Sequence, residues 1–488
     1  MINRIIGIAD AYVPSVVAKE IRQGLNGWGF LAQFYGVHAV LAFLTLAQMA
    51  VLTQGHEGNF LIERGVFWFM MGAYFLFLVP LMSINAVSSE KQGGTIELIR
   101  MTGLGARGVV WGKWAYQALF VLIVGVSVYP YIVLYHFVSG SDVVGESLML
   151  LFLVIGSLVV LGISVGASGY GTNHFKSLVF VAVLLTLFFG GVGIYNNMIR
   201  RGTQLLGGEG LLLLLGVGGV LMVFMLEVGA ARVGSRVDGH SFVIRLLGLL
   251  LLLVPLGLIG LDIFPEFCLA ASFVVIIVVP WFALMEAPVM VPGPYRKYVR
   301  WGGIGRALGR FLFYPGWATG VVYSSVMLLI FVAGLFTCAH LDLADISRKD
   351  AMEMSYVFIA IATIPFQVCL VRAIFQKHET DWAISKVIVV NVALVLSAFG
   401  MGIVKVFFGI DLTPWTSFIP SNALIYSFFG AFSHGSDFGA HQFVAALGQF
   451  VIALSLILMG QRYWSRYEGL EARALEINRS RATKGRAR

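Results

Sequence analysis

Apolar runs long enough to cross a bilayer recur along almost the whole chain, and this repetition leaves it few ways to fold. A helix needs about 20 residues to traverse roughly 30 Å of hydrocarbon. Counted at that length, about twelve spans are expected: approximately 30–52, 65–86, 114–138, 146–170, 177–198, 210–231, 242–261, 267–287, 316–338, 356–371, 387–408 and 443–459. A weaker apolar stretch at 423–432 reads as a re-entrant or interfacial helix. The expected fold class is therefore all-α, a polytopic helical membrane protein. Composition agrees, with 59% hydrophobic and 12% charged residues, where a soluble domain carries about 25% charged residues. Residues 1–25 hold no apolar core of a signal peptide, so no cleavable leader is expected.

Charge orients these spans. With the N-terminus in the cytoplasm, most of the 33 Lys and Arg residues fall on the cytoplasmic side, as the positive-inside rule requires. One missed span would invert every later loop, so an even number with both termini cytoplasmic is expected. The net charge of +8 then points to membrane lipids with anionic headgroups and not to nucleic acid. Among the 57 glycines, Gly162 and Gly166 form a small-xxx-small pair of the kind that lets membrane helices approach closely. Cys268, Cys338 and Cys369 lack metal-type spacing and read as small core residues.

Ionisable residues inside spans are costly and need an account. Glu227 and Glu286 fall near the inner ends of their spans, and Lys405 near an outer end. Two readings stand for them: placement at headgroup level, or a transport pathway. His38, His136 and Asn391 are expected as interhelical hydrogen-bonders. No Ser/His/Asp set, carboxylate pair or metal cluster lies in register, so neither catalytic residues nor a metal site are expected.

The segment from Ser88 to Lys113, after the second span, is unlike its surroundings. Glu90 and Lys91 stand at the water boundary, and Gly93-Gly94 relieves the backbone where a helix must turn into the membrane plane. Thr95 is placed to cap a short helix with Ile96, Leu98, Ile99 and Met101 on its apolar side and Glu97 and Arg100 towards solvent. Gly103 and Gly105 end it, and Trp111-Gly112-Lys113 returns the chain to the bilayer with a snorkelling cation. An ordinary solvated loop is the alternative.

Glu90-Lys91-x-x-Gly94-Thr95-x-Glu97-Leu98, then Thr102 and Gly112-Lys113, resemble the cytoplasmic signature of type 2 ABC exporter permeases. Val13-Pro14-Ser15 leading to Lys19-Glu20-Ile21-Arg22 is similar to the amphipathic entry helix of that family. One departure is Thr102-Gly103-Leu104-Gly105, which lacks the proline the family commonly has there. The resemblance covers about residues 13–231. It implies a permease subunit, an exporter of a bacterial cytoplasmic (inner) membrane, whose partner is a separate ABC ATPase docking on the segment. It implies that ATP and magnesium sit on that partner, with no cofactor bound by this chain, and that a second permease chain is a candidate partner. The chain itself is then no enzyme.

Sequence supports a separate ATPase. The nearest approach to a phosphate loop, Arg107-Gly108-Val109-Val110-Trp111-Gly112-Lys113-Trp114, lacks the first glycine and has Trp114 where Ser or Thr should meet magnesium. Gly103-x-Gly105-x-x-Gly108 follows no strand, so its dinucleotide pattern is fortuitous.

Four regions are expected: an entry segment (1–29), a six-span unit with an in-plane helix at about 88–113 (30–231), a second membrane unit (242–461) and a basic cytoplasmic tail (462–488). The second unit reads either as a degenerate repeat or as unrelated extra spans. As a repeat, Tyr295 to Arg310 would be its entry helix and Gln376 to Trp382 the counterpart of the signature. A secondary transporter without an ATPase partner is the alternative function, coupled through Glu227 and Glu286.

Overall fold

A computed structural model describes residues 28–53, 60–94, 105–139, 142–169, 213–234, 239–261, 265–299, 303–341, 364–375 and 438–486. Every regular element among them is helical. Seven helices are long and apolar enough to cross a membrane: Trp28–Ala47, Gly65–Gln92, Ala106–Leu134, Val143–Ser168, Leu214–Val233, Ser241–Gly260 and Trp317–Cys338. Ala271–Leu284 and Val451–Gln461 are shorter apolar stretches. The spans expected at 177–198 and 387–408, the first half of 356–371 and the stretch at 423–432 lie outside the described residues. The chain divides into two compact units, Met1–Ser235 and Arg236–Arg488.

In the first unit, α1 (Trp28–Thr53) precedes a continuous rod of α2 (Phe60–Gly72), a π-helical stretch (Ala73–Leu78) and α3 (Val79–Ser83). Pro80 accounts for the wide turn, because it has no N–H for the carbonyls one turn back. The Phe75 carbonyl, five residues before it, accepts the Ser157 hydroxyl at 2.7 Å. α4 (Ser88–Gln92), α5 (Ala106–Ser139) and α6 (Val143–Ser168) follow, and a π-helical stretch (Leu214–Gly218) leads into α7 (Gly219–Val233). Asp142 caps α6 by accepting the N–H groups of Val144 and Gly145, each at 3.1 Å.

Packing within this unit follows from small residues and one histidine. A Cβ on Gly166 would collide with the Met225 carbonyl, and one on Gly229 would lie 2.8 Å from the Gly166 oxygen. The Gly162/Gly166 stripe thus lets α6 and α7 meet backbone to backbone. His38 ties α1 to α5, with Nε2 3.0 Å from the Ser127 hydroxyl and Nδ1 3.3 Å from that of Tyr131. Phe67, Met71 and Phe75 are buried in one core with Val121, Val124 and Val128.

The second unit comprises α8 (Ser241–Gly260), α9 (Pro265–Leu284), α10 (Arg296–Val299) and α11 (Gly303–Leu308) continuing as a π-helical stretch (Gly309–Phe313). It continues with α12 (Trp317–His340), α13 (Ile364–Phe375) and α14 (Phe438–Arg486). Gly248 admits Val279 and the Tyr323 hydroxyl, and Gly320 meets the Ala283 backbone. α14 has 49 residues and so runs for about 73 Å at 1.5 Å per residue. It passes without a break through the boundary expected at 461/462, so the basic stretch there continues the last helix. The physical reason is periodicity: Tyr463, Tyr467, Leu470 and Ala474 recur at helical spacing. Tyr467, Leu470 and Ala474 are buried with Tyr295, Tyr298 and Tyr314.

Candidate functional site

α4 and the start of α5 frame the segment that the sequence singles out. Asn85 starts the turn, its carbonyl accepting the Ser89 N–H at 3.0 Å. Gly93 closes α4, donating to the Ser89 carbonyl at 3.0 Å, and Gly94 donates to Lys91 at 3.3 Å. Gly94 has φ of +69°, a left-handed conformation that glycine adopts without penalty and that commonly ends a helix. Lys91, Gln92, Gly93 and Gly94 are exposed.

Glu90 and Lys113 come together across the segment. The Lys113 ammonium lies 2.9 Å from Glu90 Oε1, and Lys113 is only 6% exposed. Lys113 therefore does not snorkel towards headgroups. The reason is that α5 begins at Ala106, eight residues before the expected span, so Trp111, Gly112 and Lys113 lie inside a helix packed on its neighbours. Gly112 is buried, and the Trp114 indole N–H donates to the Leu158 carbonyl at 3.1 Å. The short in-plane helix is expected between the ends of α4 and α5, capped at Thr95 and ended by Gly103 and Gly105. Residues 88–92 and 106–113 belong to flanking helices, which leaves residues 95–104 for it. Those residues, with Thr95, Glu97, Leu98 and Thr102, lie outside the described residues, as do Lys19, Glu20 and Arg22.

A second ion pair anchors the same frame. Arg107 Nε donates to Glu227 Oε2 at 2.9 Å, with the arginine half exposed and the carboxylate buried. Beside it the Val87 N–H donates to the Ser168 hydroxyl at 3.1 Å, and Val87, Val110, Leu226 and Ala230 form an apolar cluster. The ends of α4 and α5 are thereby stitched to α6 and α7. A buried carboxylate must be paired to stay charged, and Glu227 is paired.

Comparison with protein-family models, with curated proteins and with solved structures finds no match. The chemistry of the site must speak through its own residues.

In the second unit Glu286 lies beyond the end of α9, on the stretch after Leu284, and so not inside a helix as expected. Arg245 Nη2 donates to its Oε2 at 2.7 Å, and the Ser241 hydroxyl donates to Oε1. Arg245 is 1% exposed and also donates to the carbonyls of Leu312 at 2.7 Å and Gly316 at 3.0 Å, and to the Thr319 hydroxyl at 2.9 Å. One guanidinium thus fixes α8, the turn before α12 and the segment after α9.

Sequence reading missed a further node. Glu471 of α14, 1% exposed, accepts from Arg306 at 2.6 and 2.9 Å, from Arg310 at 2.7 and 2.8 Å and from the Tyr314 hydroxyl at 2.8 Å. Burial alone would raise its pKa, but the hydrogen bonds from Arg310, Arg306 and Tyr314 prevail and hold it below the usual carboxylate value. The available signal was that Glu471 stands one helical turn from Tyr467 and next to Leu470.

Proposed function

We propose that this chain is the membrane-spanning permease subunit of an ATP-driven ABC transporter, an exporter. A separate ATPase subunit docks at the cytoplasmic face on the segment between α4 and α5 and binds the ATP and magnesium. The observation that carries the reading is the Glu90–Lys113 pair at 2.9 Å. It joins the first and last residues of the stretch that resembles the coupling signature of type 2 permeases, so the two ends of that stretch move as one body. Arg107–Glu227 at 2.9 Å and Val87–Ser168 at 3.1 Å continue the connection into α6 and α7. A load that a soluble partner applies between α4 and α5 would pass from the Glu90–Lys113 pair to α6 and α7 through these contacts. The exposed turn at 91–94 leaves the approach open.

The pairing of Glu227 and Glu286 also supports this reading over ion-coupled transport. A coupling carboxylate must exchange its proton or cation during the cycle, whereas each of these already has an arginine partner. The deciding experiment places a cysteine at Glu97 and a scanning series of cysteines on a co-expressed ATPase. Crosslinking that depends on residue 97 and changes with ATP is expected. Failure of residues 95 to 104 to crosslink, while the two proteins co-purify, would sink the assignment.

A further inference from the structure

The Gly303–Phe313 segment, which joins α10 to α12, is amphipathic in reverse. At about 100° per residue, Ile304, Leu308 and Phe311 share one face, and Arg306 and Arg310 share the other. It is the arginine face that turns inward, to Glu471 at 2.6 to 2.9 Å. The apolar face turns outward: Ile304 is 81% exposed, and Leu308 and Phe311 are about half exposed. In water this arrangement would be the wrong way round.

The surrounding aromatic residues set the level at which the segment sits. The apolar stretch Val451–Gln461 of α14 ends just before Tyr463, and the candidate span Trp317–Cys338 begins at Trp317. The Trp317 and Tyr463 rings are 5.4 Å apart, and Phe311 packs on Trp464 at 5.1 Å. Trp and Tyr at the ends of two apolar helices mark the membrane–water boundary. Along α14 the outward residues before that belt are Val451, Leu454 and Leu458, an apolar set suited to hydrocarbon.

We infer that Gly303–Phe313 is a ledge lying in the interfacial layer of the bilayer. Its occupant is lipid, with Ile304, Leu308 and Phe311 seated among the upper acyl carbons. Arg306 and Arg310 are held against α14 by Glu471, so the ledge carries its apolar side into the membrane instead of displaying charge there. This reading is independent of the ATPase assignment.

The test uses the full chain reconstituted into phosphatidylethanolamine–phosphatidylglycerol vesicles. Ile304→Cys carries an environment-sensitive fluorophore, and Ala472→Cys on the exposed side of α14 serves as the aqueous control; Cys268, Cys338 and Cys369 are replaced by Ala. Lipids with a spin label high on the acyl chain should quench residue 304 several-fold more than aqueous iodide does, with the reverse at residue 472. Strong iodide quenching at 304 would place the ledge in water and defeat the inference. Protection from both quenchers would defeat it too, by showing a protein cover such as a second copy of the chain. Lipid-phase carbene labelling of the unmodified chain, read by peptide mass spectrometry, gives the same decision without substitutions: the peptide Ala307–Arg310 must be labelled.

Discussion

Lys113 and Glu90 form a nearly buried pair at the end of a span, and removing one charge takes from the other its partner at 2.9 Å. Lys113→Met should cost about 3 kcal/mol, the lower end for a broken buried pair because Glu90 retains some solvent contact. The double exchange, Glu90→Lys with Lys113→Glu, should recover most of it; thermal unfolding of the detergent-solubilised protein measures both. Glu471 makes a prediction in pH. Folding favours its ionised form, so the stability it lends is complete above the unfolded carboxylate value near 4.5 and is lost as pH falls through the lower folded value. Melting temperatures taken from about pH 5 down to about pH 2 should fall more steeply for the wild type than for Glu471→Gln. Much at this scale was legible in one direction only. Composition located Glu90, Lys113, Glu227 and Glu286 near span ends, because charge avoids hydrocarbon. It did not reveal Arg107 and Arg245 as partners of the last two, because those pairs join residues 120 and 41 apart in sequence, and no local periodicity encodes such a distance.

Among the helices, α14 has the most to test. Ending the chain after residue 461 should unseat the Tyr295, Tyr298 and Tyr314 cluster, since burial of a large side chain such as Tyr467 or Leu470 contributes roughly 2 kcal/mol each. Ending it after residue 476 should leave that cluster intact. Limited proteolysis around residue 300 distinguishes the two: rapid cleavage is expected for the shorter chain alone. Apolar length and the small-residue stripe identified helices and one of their contact faces in advance. Gly162 and Gly166 announced a close crossing, although Met222, Met225 and Gly229 as the receiving surface depended on tertiary packing. The start of α5 was misjudged because hydropathy finds the apolar part of a helix, and Ala106–Lys113 is helical for other reasons, its charged residues being satisfied by Glu90 and Glu227. In the basic tail a stripe of buried tyrosine and leucine went unread, because the many basic residues masked it.

For the whole molecule, seven candidate spans among the described residues make an integral membrane protein the consistent description, with two units meeting near residue 235 in the chain. Orientation follows from the basic residues and belongs to the proposed function. Fusing a reporter that is active only outside the cytoplasm at Met1 and, separately, at Arg488 should give no signal at either end; activity at one end alone would mean an odd number of spans.

The Glu471 node has a consequence for how the chain is made. Its arginines precede their carboxylate by 165 and 161 residues. At about 5–20 residues per second of synthesis, Arg306 and Arg310 wait on the order of ten seconds or more with no Glu471 to receive them. The ledge therefore settles only when translation is almost over. A nascent chain halted before α14 would hold both arginines without the carboxylates of α14 that receive them.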